Sequence, residues 1–168
     1  MKKFFPSVTF CSLLLSAVFL FSFTTIAVRT NFSGDWKLDE SKSELGDFAG
    51  RVALSVKADQ KDNDITVTRT TPGFNGGDPV TTTVTLTYDG KVTESEGFGG
   101  SKRKSTAKWS DDGLILTISN TITFERDGQT NEFKSTETWT MTKDGLLSVV
   151  TQSSSPRGDF TTKAIYSK

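Results

Sequence analysis

The chain has 168 residues, with 20 basic and 20 acidic side chains, no histidine and a single cysteine, Cys11. The lack of histidine excludes imidazole acid–base chemistry, a Ser-His-Asp triad and His-ligated metals. The charge balance argues against the broad basic surface that nucleic-acid binding needs.

Lys2 and Lys3 open the chain, and Leu13, Leu14, Leu15, Val18, Phe19, Leu20 and Phe21 form an apolar middle. Thr25-Ile26-Ala27 follows as a plausible cleavage point. This tripartite order is that of a secretory signal. Residues 1–27 therefore read as a signal peptide and 28–168 as one domain. The stretch 8–28 is also just long enough to span a bilayer uncleaved. The small residues near Ala27 and the polar sequence after it favour cleavage. Cys11 lies ahead of the apolar core, where a lipid-attachment cysteine would not stand, so it reads as an inert leader residue.

The expected mature chain keeps 18 basic against 20 acidic side chains, a formal charge of −2. It has no cysteine, so it forms no disulfide, carries no thiolate nucleophile and must hold together by its core alone. A basic dipeptide before apolar residues is a bacterial style of leader, and the expected address is the periplasm or the exterior.

After the leader, period 2 dominates and no long 3.6-period apolar stripe occurs. Val80, Thr82, Val84, Leu86 and Tyr88 share one face of a strand, and Thr81, Thr83, Thr85 and Thr87 the other. The same alternation runs through Val52, Leu54, Val56, Ala58, through Leu116 to Phe124, and through Phe133 to Met141. Asp89-Gly90, Asp112-Gly113, Asp127-Gly128 and Asp144-Gly145 mark tight reversals. Ten strands are predicted, near 34–39, 52–58, 64–71, 80–88, 91–96, 103–109, 114–125, 130–142, 146–154 and 159–167.

Successive antiparallel strands with short links form an up-and-down meander, which removes its edges by closing into a barrel. The fold class is therefore all-β, an antiparallel up-and-down barrel of about 8–10 strands. A flat or sandwich arrangement is the alternative. Parity puts the links near 59–63, 89–90, 110–113 and 143–145 at one laced end. The mostly longer links 41–50, 72–79, 97–101, 127–128 and 153–159 fall at the other, which makes that end a mouth. Two of them carry a phenylalanine between glycines, Phe74 and Phe98, either as apolar flaps or as anchors tucked into the rim.

Phe32-Ser33-Gly34-Asp35-Trp36-Lys37-Leu38 resembles the first strand of calycins, nearest to fatty-acid-binding proteins and bacterial secreted lipocalin-like proteins. That resemblance implies a barrel whose floor is passed closely by Gly34 and plugged by Trp36. Fatty-acid-binding proteins place a helical hairpin lid in the first connection. Here residues 40–50 have room for one short helix with Leu45 and Phe48 on one face. That family often closes with an inward Arg-x-Tyr that holds the fatty carboxylate. The matching triplet is Ala164-Ile165-Tyr166, so the tyrosine is kept and the arginine is not, while Lys163 points outward.

Turning the apolar rows inward carries Arg69, Asn120, Ser135, Glu137, Thr151 and Thr162 inside with them. The residues expected to touch a ligand are Arg69, Asn120, Phe133, Glu137 and Tyr166 on the walls, with Phe74 and Phe98 at the mouth. The same polar residues can instead reach solvent at the rim. Trp36, Trp109 and Trp139 are expected to form an aromatic floor.

These observations point to an exported, non-enzymatic binding protein for a small lipophilic or amphipathic molecule. No cofactor, metal, nucleic-acid partner or stable membrane insertion of the mature chain is expected. One alternative is an isomerase- or cyclase-type enzyme using Glu137 as base with Tyr166 or Arg69. Another is a structural or surface-binding envelope protein using the outward threonine ladders. The outward rows are Thr, Ser and Lys, which excludes an outer-membrane barrel.

Overall fold

The computed structural model describes residues 28–73, 76–96, 101–126, 128–155 and 158–168. The expected leader, 1–27, lies outside them, as do Phe74 and Phe98. The alternating segments form ten strands: β1 (Gly34–Leu38), β2 (Ser55–Gln60), β3 (Asp64–Thr71), β4 (Val80–Thr87), β5 (Thr93–Glu96), β6 (Lys102–Trp109), β7 (Leu116–Arg126), β8 (Gln129–Met141), β9 (Leu147–Ser155) and β10 (Gly158–Ser167).

All ten belong to one sheet in the order β4-β3-β2-β1-β10-β9-β8-β7-β6-β5. Each ladder is antiparallel, and β1 pairs with β10 through Lys37↔Ser167 and Leu38↔Tyr166. First and last strands thus meet in the middle of the sheet, which curls into a nearly closed barrel.

Closure stops at one seam. β4 and β5 are neighbours in the chain but share no ladder among the described residues. There the Thr93 hydroxyl donates to the Thr85 carbonyl at 3.4 Å, and β4 also lies against β6. With only four residues, β5 is too short to carry the ladder across.

The laced end behaves as the Asp-Gly pairs predict. Gly113 and Gly145 take φ of 72° and 76°, where a Cβ would strain the backbone. Asp112 accepts from the Ser110 hydroxyl at 2.5 Å and the Leu114 N–H at 3.0 Å.

The packed core fills this end. Phe32, Trp36, Ile65, Val67, Leu86, Ala107, Leu116, Ile118, Trp139 and Leu147 are all removed from solvent. The aromatic floor is centred on Phe32, just before β1, rather than on Trp36. The Phe32 ring stacks on Trp109 at 5.5 Å and meets Trp139 edge-on at 5.8 Å. Trp36 is buried beside them, and its indole N–H donates to the Phe32 carbonyl at 2.9 Å. Gln60 ties this segment down, accepting from the Phe32 N–H at 2.9 Å and donating to the Thr30 carbonyl at 3.0 Å.

Two expectations need adjustment. The start of β2 shifts from 52 to Ser55, so Leu54 is exposed and Ala53 takes the buried place. A 3-10 turn over Gly46–Arg51 delivers the chain to the sheet at an angle that breaks the alternation. The expected single short helix is instead two 3-10 turns, Glu40–Lys42 and Gly46–Arg51. Two glycines in the six-residue stretch 46–51, Gly46 and Gly50, disfavour a regular α-helix there.

Candidate functional site

Strand register arranges the inward side chains in rows that climb from the laced end. A row near the floor joins Trp109, Leu116, Trp139, Val149 and Ala164 and is wholly apolar. Above it come Ala107, Ile118, Glu137, Thr151 and Thr162, then Ser105, Asn120, Ser135, Ser153 and Phe160. Next is the row of Arg103, Ile122 and Phe133. The interior therefore passes from a sealed oily floor to a polar tier and then to an apolar rim.

The polar tier is a connected hydrogen-bond network. Arg69, on the opposite wall, reaches across the barrel and donates from Nη2 to Glu137 Oε2 at 2.7 Å. Each of these side chains keeps 15% of its surface exposed, so the ion pair is largely desolvated. Glu137 Oε2 also accepts from the Trp139 indole at 3.0 Å, while Oε1 accepts from the Asn120 amide at 3.4 Å. Asn120 in turn accepts from the Ser105 hydroxyl at 2.7 Å. The Arg69 guanidinium lies over the Trp139 ring, 5.6 Å from its centroid. Burial of two opposite charges is tolerable because each offsets the other and the Trp139 and Asn120 N–H groups satisfy the carboxylate.

Tyr166 is buried in the wall below. Burial pushes its phenol above the ordinary range, the nearby Glu137 carboxylate adds to that, and Arg69 opposes it. Arg103 has its guanidinium pKa lowered by burial and by repulsion from Arg69, against the attraction of Glu137. No hydrogen bond or ion pair reaches the Arg103 side chain among the described residues, and its Nε is buried without a partner.

The rim is aromatic. Phe133 lies 6.0 Å from Phe160, and Phe160 is stacked face to face under Phe48 from the 3-10 turn Gly46–Arg51. Phe124, one inward position beyond Ile122, is 38% exposed. Ile122, Phe133 and Phe160, above the polar tier, are half-buried.

Of the expected ligand contacts, the structure brings Arg69, Asn120 and Glu137 together in one network. Phe133 stands at the rim and Tyr166 in the packed wall. Arg103, Ser105 and Phe160 were missed. Counting back in twos from the inward Trp109 would have placed Ser105 and Arg103 on the same face.

Two concavities open on the surface. One of about 370 Å³ is an open trough along β8, β9 and β10, lined both by outward residues such as Lys134, Gln152 and Asp159 and by the inward Ser135, Ser153 and Phe160. The other, about 340 Å³, sits outside the floor between Arg29, Asp62, Asn63, Thr87, Tyr88 and Asp89. Arg29 fills part of that notch, lying over Tyr88 at 4.8 Å and Trp109 at 5.7 Å. Among the described residues, no group of three or more His, Cys, Asp or Glu side chains could hold a metal ion. No helix among them is long and apolar enough to cross a membrane.

Ten antiparallel strands around a sealed floor, with an interior polar tier and two 3-10 turns after β1, form a nearly closed barrel of calycin-like fold. The solved structure of zebrafish ileal bile acid-binding protein, complexed with cholic acid, is similar in fold, with a TM-score of 0.50 and 19% sequence identity. The match covers 82% of this chain and 98% of that one. No family model and no curated protein sequence matches the chain.

Proposed function

We propose that this chain is an exported, non-enzymatic binding protein that holds a small lipophilic or amphipathic molecule in the open upper half of its barrel. The observation that carries the reading is the tiering of the interior. A hydrogen-bonded polar network sits above a floor that excludes water, and an exposed aromatic rim surmounts it. Such a cup offers polar groups to one end of a guest and apolar surface to the other. The zebrafish protein of similar fold was solved in complex with cholic acid, which accords with this use of the architecture. The basic-apolar-small leader supports export, to the periplasm or exterior of a bacterium.

A catalytic reading would need Glu137 as a free base. Its two oxygens already accept three hydrogen bonds, from Arg69, Trp139 and Asn120, so the binding reading is preferred.

The test is native mass spectrometry of protein recovered from the periplasm or medium of a bacterial host expressing the whole sequence. The expected result is a chain beginning near Val28 that carries a reproducible small-molecule adduct, released on unfolding. Repeated preparations without an adduct, together with failure to bind lipophilic probes, would overturn the binding claim. Retention of the chain in the cytoplasm would overturn the claim of export.

A further inference from the structure

We infer that the cup takes a compact aromatic anion, a ring-bearing carboxylate or sulfonate, held by Arg103 with its ring against the Phe133–Phe160 wall, and not a long-chain lipid. The inference rests on the binding reading above and adds the sign, size and shape of the guest.

Sign follows from the interior charges. Among the described side chains of the inward rows three are ionised, Arg69, Arg103 and Glu137. Arg69 and Glu137 neutralise one another at 2.7 Å, and the oxygens of Glu137 also accept from Trp139 and Asn120. Arg103 is left as one uncompensated positive charge, half-buried, its Nε without an acceptor. A guanidinium removed from water and lacking a partner is unfavourable. An acid head group would supply two oxygens in the planar geometry that the fork of donors fits.

Size follows from the rows. Everything below the network is packed, so a guest cannot descend past Glu137. Arg103 pairs with Ile122, and Ile122 with Phe133. Beyond that row the Phe124↔Asn131 and Arg126↔Gln129 pairs share the inward face before the β7–β8 reversal. Four residues of strand span about 13 Å, enough for a one- or two-ring aromatic. An extended long acyl chain exceeds that and would stand out in water.

Shape follows from the rim. Phe133 and Phe160 present flat faces at 6.0 Å with 34° between their planes, and Phe48 closes over Phe160 from the lid. Planar rings meet such faces in offset or edge-on stacks that a flexible alkyl chain cannot form.

The experiment is isothermal titration calorimetry of the purified protein with 2-naphthoate, the neutral 2-naphthylmethanol, octanoate and palmitate. Wild type is compared with Arg103→Gln and Arg103→Lys. The expected result is that 2-naphthoate binds at least tenfold tighter than the alcohol, and that palmitate gains nothing over octanoate. Arg103→Gln should abolish the preference for the acid while leaving the alcohol's affinity unchanged, and Arg103→Lys should keep most of it. Equal binding of acid and alcohol, an unaffected Arg103→Gln, or palmitate tenfold tighter than octanoate would overturn this inference while the binding reading stands. If none of the four compounds binds, the binding reading itself falls. Should Arg103→Gln fail to fold, the wild-type series and the lysine variant decide the matter alone.

Discussion

Glu137 has more invested in it than any other interior residue. It is the acceptor for Arg69, Trp139 and Asn120 at once. Glu137→Gln removes the charge but not the bulk, leaving Arg69 desolvated without its counter-ion. The expected loss is about 3 kcal/mol of stability in urea unfolding followed by tryptophan fluorescence. The double replacement Arg69→Met/Glu137→Leu should lie within about 1 kcal/mol of wild type, because it removes both desolvated charges together. A single mutant as stable as wild type would show that the pair is hydrated and inert. The tyrosines give a second residue-scale prediction. Burial pushes Tyr88 up to about 12, with Arg29 opposing, and holds Tyr166 above its usual value too. The unfolded phenols release their protons near pH 10. Stability is therefore complete below that pH and declines as pH rises toward 12. Phenolate absorbance should emerge together with loss of the folded state, whereas in urea it should titrate gradually near pH 10. This network was only partly legible in the sequence. Parity placed Arg69 and Glu137 inside, but they stand 68 residues apart on strands that are not neighbours in the sheet. Their meeting depends on how the sheet curls, which alternation does not encode.

Among the elements, the strands were readable and the lid was less so. Each strand announced itself by period 2 and by an Asp-Gly or loop boundary, and differences at strand ends are mostly one or two residues. The exception is β2, where the 3-10 turn Gly46–Arg51 enters the sheet and Leu54 turns out to be exposed. The lid is attached by Phe48 on Phe160, by Leu45 buried in the core, by Ser43 accepting from the Ile165 N–H at 2.9 Å, and by the pairing of Glu44 with Lys163, whose side chains meet at 3.0 Å. Phe48→Ala is expected to weaken the fold by about 1 kcal/mol, the usual worth of an aromatic pair. Its stronger signature should be faster amide exchange confined to residues 44–52, read by mass spectrometry; unchanged exchange there would mean that Leu45 and the backbone pairing hold the lid without Phe48. The threonine ladders have a simpler role than ligand capture. Thr66 and Thr85, Thr68 and Thr83, and Thr70 and Thr81 join hydroxyl to hydroxyl at 2.8, 2.9 and 3.1 Å, so they zip β4 onto β3.

For the molecule as a whole, the decisive contact comes from a residue outside any strand. Phe32 is completely buried between Trp109 and Trp139, although it precedes β1 and no periodicity marks it. It opens the Phe-x-Gly-x-Trp motif, but the resemblance assigns the floor to Trp36 and says nothing of Phe32. Phe32→Ala should empty the floor and cost about 4 kcal/mol. Phe124→Ala, at the wet rim, should change stability by less than about 1 kcal/mol. Chemical denaturation of the two variants side by side checks this, and equal losses would show that the barrel is not packed more firmly at one end.

The seam between β4 and β5 has a consequence for the covalent chain. Every other pair of consecutive strands is stitched by backbone hydrogen bonds, but the polypeptide between Tyr88 and Thr93 is the main tie across that gap. A protease nick after Gly90 would sever the chain where little else has to break. The two fragments should remain associated, clasped by β1 against β10 and by Phe32 lodged in the other piece, and should migrate together until a denaturant separates them.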